Sequence, residues 1–492
     1  MENSQPADTN PLNVESSGKE ERSLRKFEDY KIQPQKVFLI LAILFGILLV
    51  FLVPPFQIPD EQAHFINAYA VSQGNFFADV DPQTNMIGID LPSPMVDFMP
   101  DDVFEFNYSY DQITTDSWSG KDNSSTMFLP MGERVASPIG YLVSGMGITV
   151  SNILGYDSSA PYNLLVFARM FNLIFYIAVI YFAIKLVPCY KRTMLLLALM
   201  PTSMTQAASV SYDAIIVPVC FLLFAMILRL ILAPDTYRVS IKDIVIMSFI
   251  VFFIGGIKIV YAPLLITCLL IVPKKFGSIR RYIITISVLA VIFFAVYIVP
   301  ALYIQGLTAH VKNPALENQI AQKNYLLSHL SQIPSILRTT INARGMFYTH
   351  SFFGKLGWLQ VLFPAPVYTV FYIVLFAIML IDSAEAGFYK WKLKAVSVAA
   401  VFSSIIGIAY AMYIETSRLI ENGVGAVYIE GIQGRYFIPV TLFFFLVFSN
   451  NLLSKLPQKV NQAITRGATA AAYFTCAICC ILTLFIVHAR YW

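Results

Sequence analysis

A proline-flanked acidic motif follows the first long apolar segment of this 492-residue chain. Asp60 and Glu61 come directly after Pro59, and His64 lies one helical turn later, so its side chain can share a face with either carboxylate. A carboxylate at the rim of an apolar cavity can act as a general base, and a nearby imidazole can orient it. The structural alternative is that Asp60 caps the helix started by Pro59. Both interpretations remain open at this point.

Two basic residues in apolar surroundings are candidates for binding an anion. Lys258 lies within a nearly unbroken apolar stretch, where an ionisable residue predicts a functional site, although it could also snorkel to the interface. Arg435 heads a later apolar segment, between Gln433 and Tyr436, and its planar guanidinium suits a phosphate. The alternative for Arg435 is an interfacial anchor beside an aromatic belt.

Other polar and aromatic residues at the ends of apolar segments are candidates for lining a substrate cavity. They are Tyr212, Asp213, Tyr261, Arg344 and Trp358. Asp213 could instead cap the helix that it begins. The sequence has no nucleotide-binding glycine-rich loop, no HExxH motif and no cysteine metal motif, which argues against a nucleotide-driven pump.

The composition indicates what must position these residues. The chain is 57% hydrophobic and 13% charged, whereas soluble domains carry about 25% charged residues. So little charge excludes a soluble enzyme, a disordered scaffold and a nucleic-acid binder. Because a bilayer requires every backbone polar group to be paired internally, the predicted fold is an all-α polytopic membrane protein.

Apolar segments and basic clusters together predict about eleven transmembrane helices, within a range of about 10–13. The segments are 37–53, 162–187, 193–208, 213–232, 241–256, 258–272, 281–303, 364–382, 393–413, 434–452 and 468–488. Their basic clusters alternate cleanly if segment 138–154 is an interfacial or re-entrant helix that does not cross. This arrangement places the N-terminus inside and the C-terminus outside the cytoplasmic membrane.

The predicted orientation defines the domain organisation. Residues 1–36 are a disordered cytoplasmic tail, and residues 37–492 form one transmembrane domain. Three loops then face outward, at 54–161, 304–363 and 414–433. Long loops between spans tend to be functional, so the chemistry is expected on the outer face. The first loop is acidic and offers carboxylates to a divalent cation.

Short motifs in order along the chain resemble a bacterial membrane family known as domain of unknown function 2142. The matching motifs are Pro59-Asp60-Glu61-x-x-His64, Ser137-Pro138-x-x-Tyr141, Arg169-x-x-Asn172, Ser211-Tyr212-Asp213-Ala214, Lys258-x-x-Tyr261-x-Pro263, Gly357-Trp358 and Gln433-Gly434-Arg435-Tyr436-Phe437-x-Pro439. That family in turn resembles the GT-C glycosyltransferases, which use polyprenyl-phosphate sugars. The resemblance implies a GT-C-like fold with juxtamembrane helices in the first outer loop.

The resemblance also implies an activity, which is transfer of a sugar from a polyprenyl-phosphate donor to a cell-envelope glycan or a lipid-linked acceptor. Asp60 takes the position of the catalytic carboxylate, with Glu61 as its rival and His64 beside them. The donor phosphate is expected to bind Lys258, Gln433, Arg435 and Tyr436. Direct displacement would invert the anomeric centre, and no metal or other cofactor is required.

Two alternative functions remain. The first is an envelope-glycan polymerase or ligase that uses basic residues of the outer loops, namely Arg338, Arg344, His350 and Arg418. The second is a lipid or glycolipid transporter without catalysis, in which Lys258 and Asp213 line a path. One outward cavity shared by Asp60, Lys258 and Arg435 favours transfer, whereas a charged track that crosses the membrane favours transport.

Overall fold

The computed structural model describes residues 32–76, 79–81, 84–99, 125–130, 137–308, 314–385, 391–419 and 423–492. Residues 1–31 of the predicted tail lie outside these ranges. So do residues 100–124 and 131–136, which carry seven of the fourteen acidic side chains of the first loop.

The structure confirms an all-α polytopic membrane protein, with two small sheets that the sequence did not predict. The helices are α1 (Pro34–Leu52), α2 (Glu61–Ser72), α3 (Ser93–Phe98), α4 (Leu142–Ile153), α5 (Pro161–Leu186), α6 (Lys191–Leu199), α7 (Pro201–Ala207), α8 (Asp213–Leu232), α9 (Ile241–Ile257), α10 (Ile279–Thr308), α11 (Pro314–Ser328), α12 (Ile333–Phe353), α13 (Ala365–Glu385), α14 (Trp391–Leu419), α15 (Ile438–Phe445) and α16 (Gln458–Tyr491). The strands are β1 (Asp79–Val80), β2 (Ile87–Pro92), β3 (Thr126–Pro130), β4 (Lys355–Leu356) and β5 (Val361–Leu362).

Seven helices of the described chain are long and apolar enough to cross a membrane. They are α1, α5, α8, α10, α13, α14 and α16. The other four predicted spans correspond to shorter elements, among them α9 and a 3₁₀ helix at Ile259–Leu270. The prediction of one continuous helix over 193–208 is wrong, because α6 ends at Leu199 and Pro201 begins α7. A proline cannot continue the hydrogen-bond ladder of a preceding helix.

The first and last helices run in the same direction. The hydroxyl of Tyr473 in α16 donates to the carbonyl of Ile32 at the start of α1, over 2.6 Å. The indole of Trp492 donates to the carbonyl of Leu52 at the end of α1, over 2.9 Å. If both helices cross the membrane in the same direction, the number of crossings from α1 to α16, counting both, is odd. The predicted number of eleven spans meets this condition.

The centre of the bundle is α8, whose apolar window is 89% buried against α5, α9 and α15. A helix that is apolar on all sides is stable only when it is surrounded by other helices or lipid. By contrast, 11% of the apolar window of α10 is buried, so α10 presents most of its surface outward, as a lipid-facing helix does. The candidate site lies at the N-terminal end of α8.

The first loop folds over that end of the bundle. It contains α2, α3 and α4, together with an antiparallel sheet in the order β1-β2-β3. Helix α4 has 12 residues, about 18 Å at 1.5 Å per residue, which is too short for a hydrocarbon core of about 30 Å. Helix α4 packs so closely on α5 that a Cβ atom at Gly147 would lie only 2.5 Å from the carbonyl oxygen of Phe167. Segment 138–154 therefore has the length of an interfacial helix.

The second predicted loop, 304–363, is largely helical. It holds the last turn of α10, then α11 and α12, and ends in the β4–β5 hairpin. Residues 309–313 lie outside the described ranges. In the third predicted loop, α14 continues to Leu419, and residues 420–422 lie outside the described ranges.

Candidate functional site

Four charged side chains, predicted separately from four parts of the sequence, form a continuous row. Arg435 lies between two carboxylates, with Nη2 3.4 Å from Asp60 Oδ2 and Nε 3.4 Å from Asp213 Oδ2. Lys258 Nζ lies 2.9 Å from the other oxygen of Asp213. The row therefore alternates in sign and carries no formal net charge. Arg435 and Asp213 are buried, Lys258 is partly buried, and Asp60 forms the exposed end.

The guanidinium of Arg435 has unused capacity to donate hydrogen bonds. Its Nη1 donates to the side-chain oxygen of Gln206 over 3.1 Å. Its two carboxylate contacts are longer than the usual 2.7–3.2 Å of an N–H···O bond. Within the described residues, Arg435 Nε and Asp213 Oδ2 are buried atoms without a hydrogen-bond partner. A buried group in this state favours a ligand with acceptor oxygens.

A tight contact between two segments fixes the position of Arg435. Gly434 lies against α12, where a Cβ atom would be 2.1 Å from the carbonyl oxygen of Tyr348 and 2.2 Å from the amide nitrogen of Phe352. Only glycine allows this approach. The Gly434 amide also donates to Ser351 Oγ over 2.8 Å. The turn at Gly434–Phe437 thus delivers the guanidinium to the end of α8.

Lys258 occupies the extended residue that separates α9 from the following 3₁₀ helix. Its ammonium lies 4.3 Å from the ring centre of Tyr212 and 4.6 Å from that of Tyr436. Both distances are within the range of a cation–π contact. The hydroxyl of Tyr261 donates to the backbone carbonyl of Tyr436 over 2.9 Å and fixes the backbone that carries this ring. Of the predicted residues, Tyr212 and Tyr436 thus contact the cation, and Tyr261 positions Tyr436.

Asp60 has an unusual backbone conformation. Its φ angle is +69°, in the left-handed region that non-glycine residues rarely adopt, and such outliers cluster at functional sites. It occupies the N-cap position of α2, yet its side chain makes no capping hydrogen bond. The side chain is 55% exposed and faces Arg435 instead. The helix-cap interpretation therefore does not account for this residue.

Glu61 and Arg169 form a fully buried ion pair that supports the Asp60 turn. Arg169 uses all five of its N–H donors, two on Glu61 and three on the carbonyls of Val50, Val53 and Pro54 at the end of α1. Glu61 also accepts from two backbone amides, those of Phe56 and Val210. Both carboxylate oxygens are therefore occupied.

Sequence reasoning noted Arg169 only as part of a motif and missed this role. The available signal was an arginine inside the apolar segment 162–187, because an intramembrane cation usually has an acidic partner. Gln206, which contacts Arg435, was missed as well. It lies within the apolar segment 193–208, where no charge marks it.

His64 is held by two tyrosines rather than by a carboxylate. Its Nδ1 lies 2.8 Å from the Tyr141 hydroxyl, and its ring meets that of Tyr212 edge-on at 4.5 Å. Burial lowers the pKa of His64 to about 4, with the nearby cations Arg435 and Lys258 adding to the shift and Asp60 and Asp213 opposing it. The imidazole is thus neutral at physiological pH. His64 was predicted to orient one of the two carboxylates, but its hydrogen bond in the structure is to Tyr141.

A small cleft of about 10 Å³, with room for about one water molecule, lies beside Arg435. Arg435 and Lys355 supply its charged lining, and no carboxylate is among the lining residues. The remaining lining residues are Ile58, Pro59, Thr202, Thr205, Gln206, Ser351, Leu356, Gly357, Leu359 and Gln433. Lys258 and Tyr436, which were predicted to bind the same ligand, lie behind Arg435 and do not line this cleft. We call it the cationic cleft.

A second cleft, of about 100 Å³, adjoins the cationic cleft and shares Gln433 and Leu359 with it. Its lining includes Arg344, which is paired with Glu430. Trp358, also predicted in the substrate cavity, donates from its indole to the carbonyl of Phe56 over 2.9 Å. It therefore packs on the turn that precedes Asp60. We call the second pocket the neutral cleft.

The remaining predicted residues lie apart from these clefts. Arg338 is exposed on α12, and the His350 ring lies against Tyr368 at 4.3 Å between centres. The side chain of Arg418 lies outside the described residues. The described part of the chain also contains no group of three or more His, Cys, Asp or Glu residues arranged to hold a metal. Half of the carboxylates of the acidic first loop are outside the described ranges.

Comparisons with known proteins identify the family and nothing finer. No curated protein and no solved structure is similar enough to this chain to count as a match. A family model described as "Predicted membrane protein (DUF2142)" matches residues 43–444, which include all four members of the charged row. The chain therefore belongs to the DUF2142 family of membrane proteins.

Proposed function

We propose that this protein is a membrane glycosyltransferase that moves a sugar from a polyprenyl-phosphate donor to an acceptor hydroxyl. The observation that carries the proposal is the pairing of a half-exposed carboxylate, Asp60, with a buried guanidinium, Arg435, at the edge of a cationic cleft. This places a base next to a site for an anion. The resemblance of the motifs to GT-C enzymes supports the same reaction.

The donor phosphate binds at the cationic cleft, which widens to admit it because its volume of about 10 Å³ holds only about one water molecule. Arg435 lines this cleft and is held by its two carboxylates only through long contacts of 3.4 Å, and Lys355 adds a second positive charge. A hydrogen bond to a charged group contributes about 1.5–3 kcal/mol. Because negative charge grows on the phosphate as the glycosidic bond breaks, these contacts stabilise the transition state more than the ground state.

Asp60 acts as the general base. It accepts the proton of the acceptor hydroxyl while that oxygen attacks the anomeric carbon, and the bond from this carbon to the phosphate oxygen breaks. The products are the inverted glycoside, polyprenyl phosphate and protonated Asp60. General-base assistance of this kind contributes about 10²–10⁴-fold to the rate.

The other predicted residues have supporting roles in this proposal. Lys258 neutralises Asp213, which would otherwise hold Arg435 at short range and compete with the phosphate. Glu61 is fully engaged by Arg169 and two amides, so Asp60 is the better base of the two. Neutral His64 closes the far side of the site with Tyr141.

The proposal extends to the location and the partners of the site. In this proposal the ends of α1 and α9 and the start of α8 lie on the outer face of the cytoplasmic membrane, which the positive-inside rule supports. The donor then enters from the outer leaflet, and the acceptor is a cell-envelope glycan or a lipid-linked precursor. No metal is needed for a lipid-phosphate leaving group.

The test is sugar transfer in proteoliposomes that contain a panel of polyprenyl-phosphate sugars and an envelope-glycan acceptor. Wild type is compared with Asp60→Asn and with the control Asp90→Asn, which changes an exposed carboxylate of β2 in the same loop. We expect release of polyprenyl phosphate by wild type and the control, and a loss of at least about 10²-fold in Asp60→Asn.

The other outcomes contradict the proposal in different ways. Equal rates in wild type and Asp60→Asn would show that Asp60 is not the base. Movement of the lipids between leaflets without any transfer would favour the transporter alternative.

A further inference from the structure

We infer that the neutral cleft is the acceptor subsite and that it binds an uncharged sugar ring. The acceptor role rests on the proposed function, whereas the binding of a sugar is inferred from the cleft itself. Its volume of about 100 Å³ is below the range of sites that enclose a whole drug-sized ligand, about 300–1,000 Å³. The cleft therefore holds at most one sugar ring, and the rest of a glycan lies outside it.

Two buried polar atoms in the wall of the neutral cleft lack a partner. Within the described residues, the Tyr348 hydroxyl and the side-chain oxygen of Gln433 make no hydrogen bond and are shielded from solvent. Buried polar groups are nearly always paired, so these two atoms indicate a ligand with matching groups. A sugar hydroxyl both donates and accepts and can satisfy the amide oxygen and the phenol together.

The charge of the neutral cleft separates its ligand from that of the cationic cleft. Arg344, the cation of the lining, is already paired with Glu430, so the lining has no net charge to attract a phosphate. The rings of Phe347 and Tyr348 add apolar surface beside the polar atoms. Alternating polar and aromatic surface suits a sugar ring, which has polar edges and apolar faces.

The order of the two clefts agrees with an acceptor role. Gln433 belongs to both linings and is separated from Arg435 by one residue, Gly434. A phosphate bound to Arg435 therefore lies on one side of Gln433, and the neutral cleft lies on the other. A glycan held there can direct a hydroxyl toward the boundary between the two clefts.

The test measures binding separately from transfer. Fluorescently labelled neutral trisaccharides of glucose, mannose, galactose and N-acetylglucosamine are titrated into Asp60→Asn protein in lipid nanodiscs. In that background, Tyr348→Phe and Gln433→Met each remove one unpaired group. Tyr325→Phe is the matched control, because its hydroxyl donates to Gln332 and is not part of the cleft.

We expect at least one trisaccharide to bind, with Tyr348→Phe and Gln433→Met each weakening binding about 3–10-fold and the control staying within about twofold. No binding of any of the four up to about 10 mM, or equal binding by all variants, overturns the inference. If binding depends on Tyr348 but the wild-type protein never turns over a donor, the sugar site stands and the proposed transfer is refuted. If the wild-type protein transfers sugar, and Tyr348→Phe and Gln433→Met made without the Asp60→Asn change leave the KM for the acceptor unchanged, the transfer stands and the acceptor site is refuted.

Discussion

The ion pair between Glu61 and Arg169 makes a prediction that separates it from its neighbour Asp60. The substitution Glu61→Gln keeps the size of the side chain and removes its charge. In place of one carboxylate oxygen it puts an amide N–H group. At Oε1 this group faces Arg169 Nε and the amide of Val210, and at Oε2 it faces Arg169 Nη2 and the amide of Phe56. Every one of these neighbours is a donor, so no rotation of the amide restores all four hydrogen bonds.

The expected cost follows from the burial of the pair. Glu61 and Arg169 are 0% and 1% exposed, so solvent cannot replace the lost charge. Removing one partner of a buried ion pair typically costs about 3–5 kcal/mol. In Asp60→Asn, by contrast, the carboxylate is 55% exposed and its contact with Arg435 is 3.4 Å long. A pair of that kind is worth about 1 kcal/mol or less.

Equilibrium unfolding of the purified protein in mixed micelles, monitored by circular dichroism, measures both variants. We expect Glu61→Gln to lower the free energy of unfolding by about 3–5 kcal/mol and Asp60→Asn to leave it within about 1 kcal/mol of wild type. The double variant Glu61→Gln/Arg169→Met should be less destabilised than the sum of the single variants, because the two residues share one interaction.

Equal stability of Glu61→Gln and wild type would refute this reasoning. It would mean that the four hydrogen bonds to Glu61 are replaced by water or by relaxation of the loop. Strictly additive losses in the double variant would show that the two side chains act independently.

Three further predictions concern other parts of the site. Gly434→Ala should destabilise the protein and displace Arg435, whereas Gly467→Ala in the open interior of α16 should be neutral or stabilising by about 1 kcal/mol in the same unfolding assay. Because the pKa of His64 is lowered from 6.5 to about 4, the unfolded chain binds a proton that the folded chain does not, and stability should fall by about 2 kcal/mol from pH 7 to pH 5. His64→Gln should remove that dependence, and an unchanged pH profile would contradict it. Lys258→Met should cost about 2–4 kcal/mol because it leaves Asp213 with a single long contact, and the added change Asp213→Asn should recover part of the loss, as measured by thermal unfolding.

Hydropathy and charge parity predict much of the fold, because the requirement for about 20 apolar residues per span is written locally in the sequence. The prediction failed where span length and local breaks matter. Pro201 divides the apolar segment 193–208 into α6 and α7, and the proline was visible in the sequence. The sheet formed by β2 and β3 was missed for another reason, since their pairing joins strands more than thirty residues apart.

The charged row could be predicted as a set of residues, but its pairing could not. Asp60, Lys258 and Arg435 each stand out as ionisable groups beside apolar segments, and the structure brings them together with Asp213. Which carboxylate each cation contacts depends on tertiary packing that no local pattern encodes. The same limit explains why Glu61 looked like a rival base, since its partner Arg169 lies 108 residues further along the chain.

The buried partners of Glu61 also set an order of events during biosynthesis. The carboxylate is made early in translation, but Arg169 follows 108 residues later and the amide of Val210 follows 149 residues later. Until α5 and the segment before α8 have been inserted, the turn that carries Asp60 lacks both of these contacts. The part of the site nearest the N-terminus is therefore completed only after the middle of the chain has emerged, so a nascent chain carries an unpaired Glu61 charge until that point.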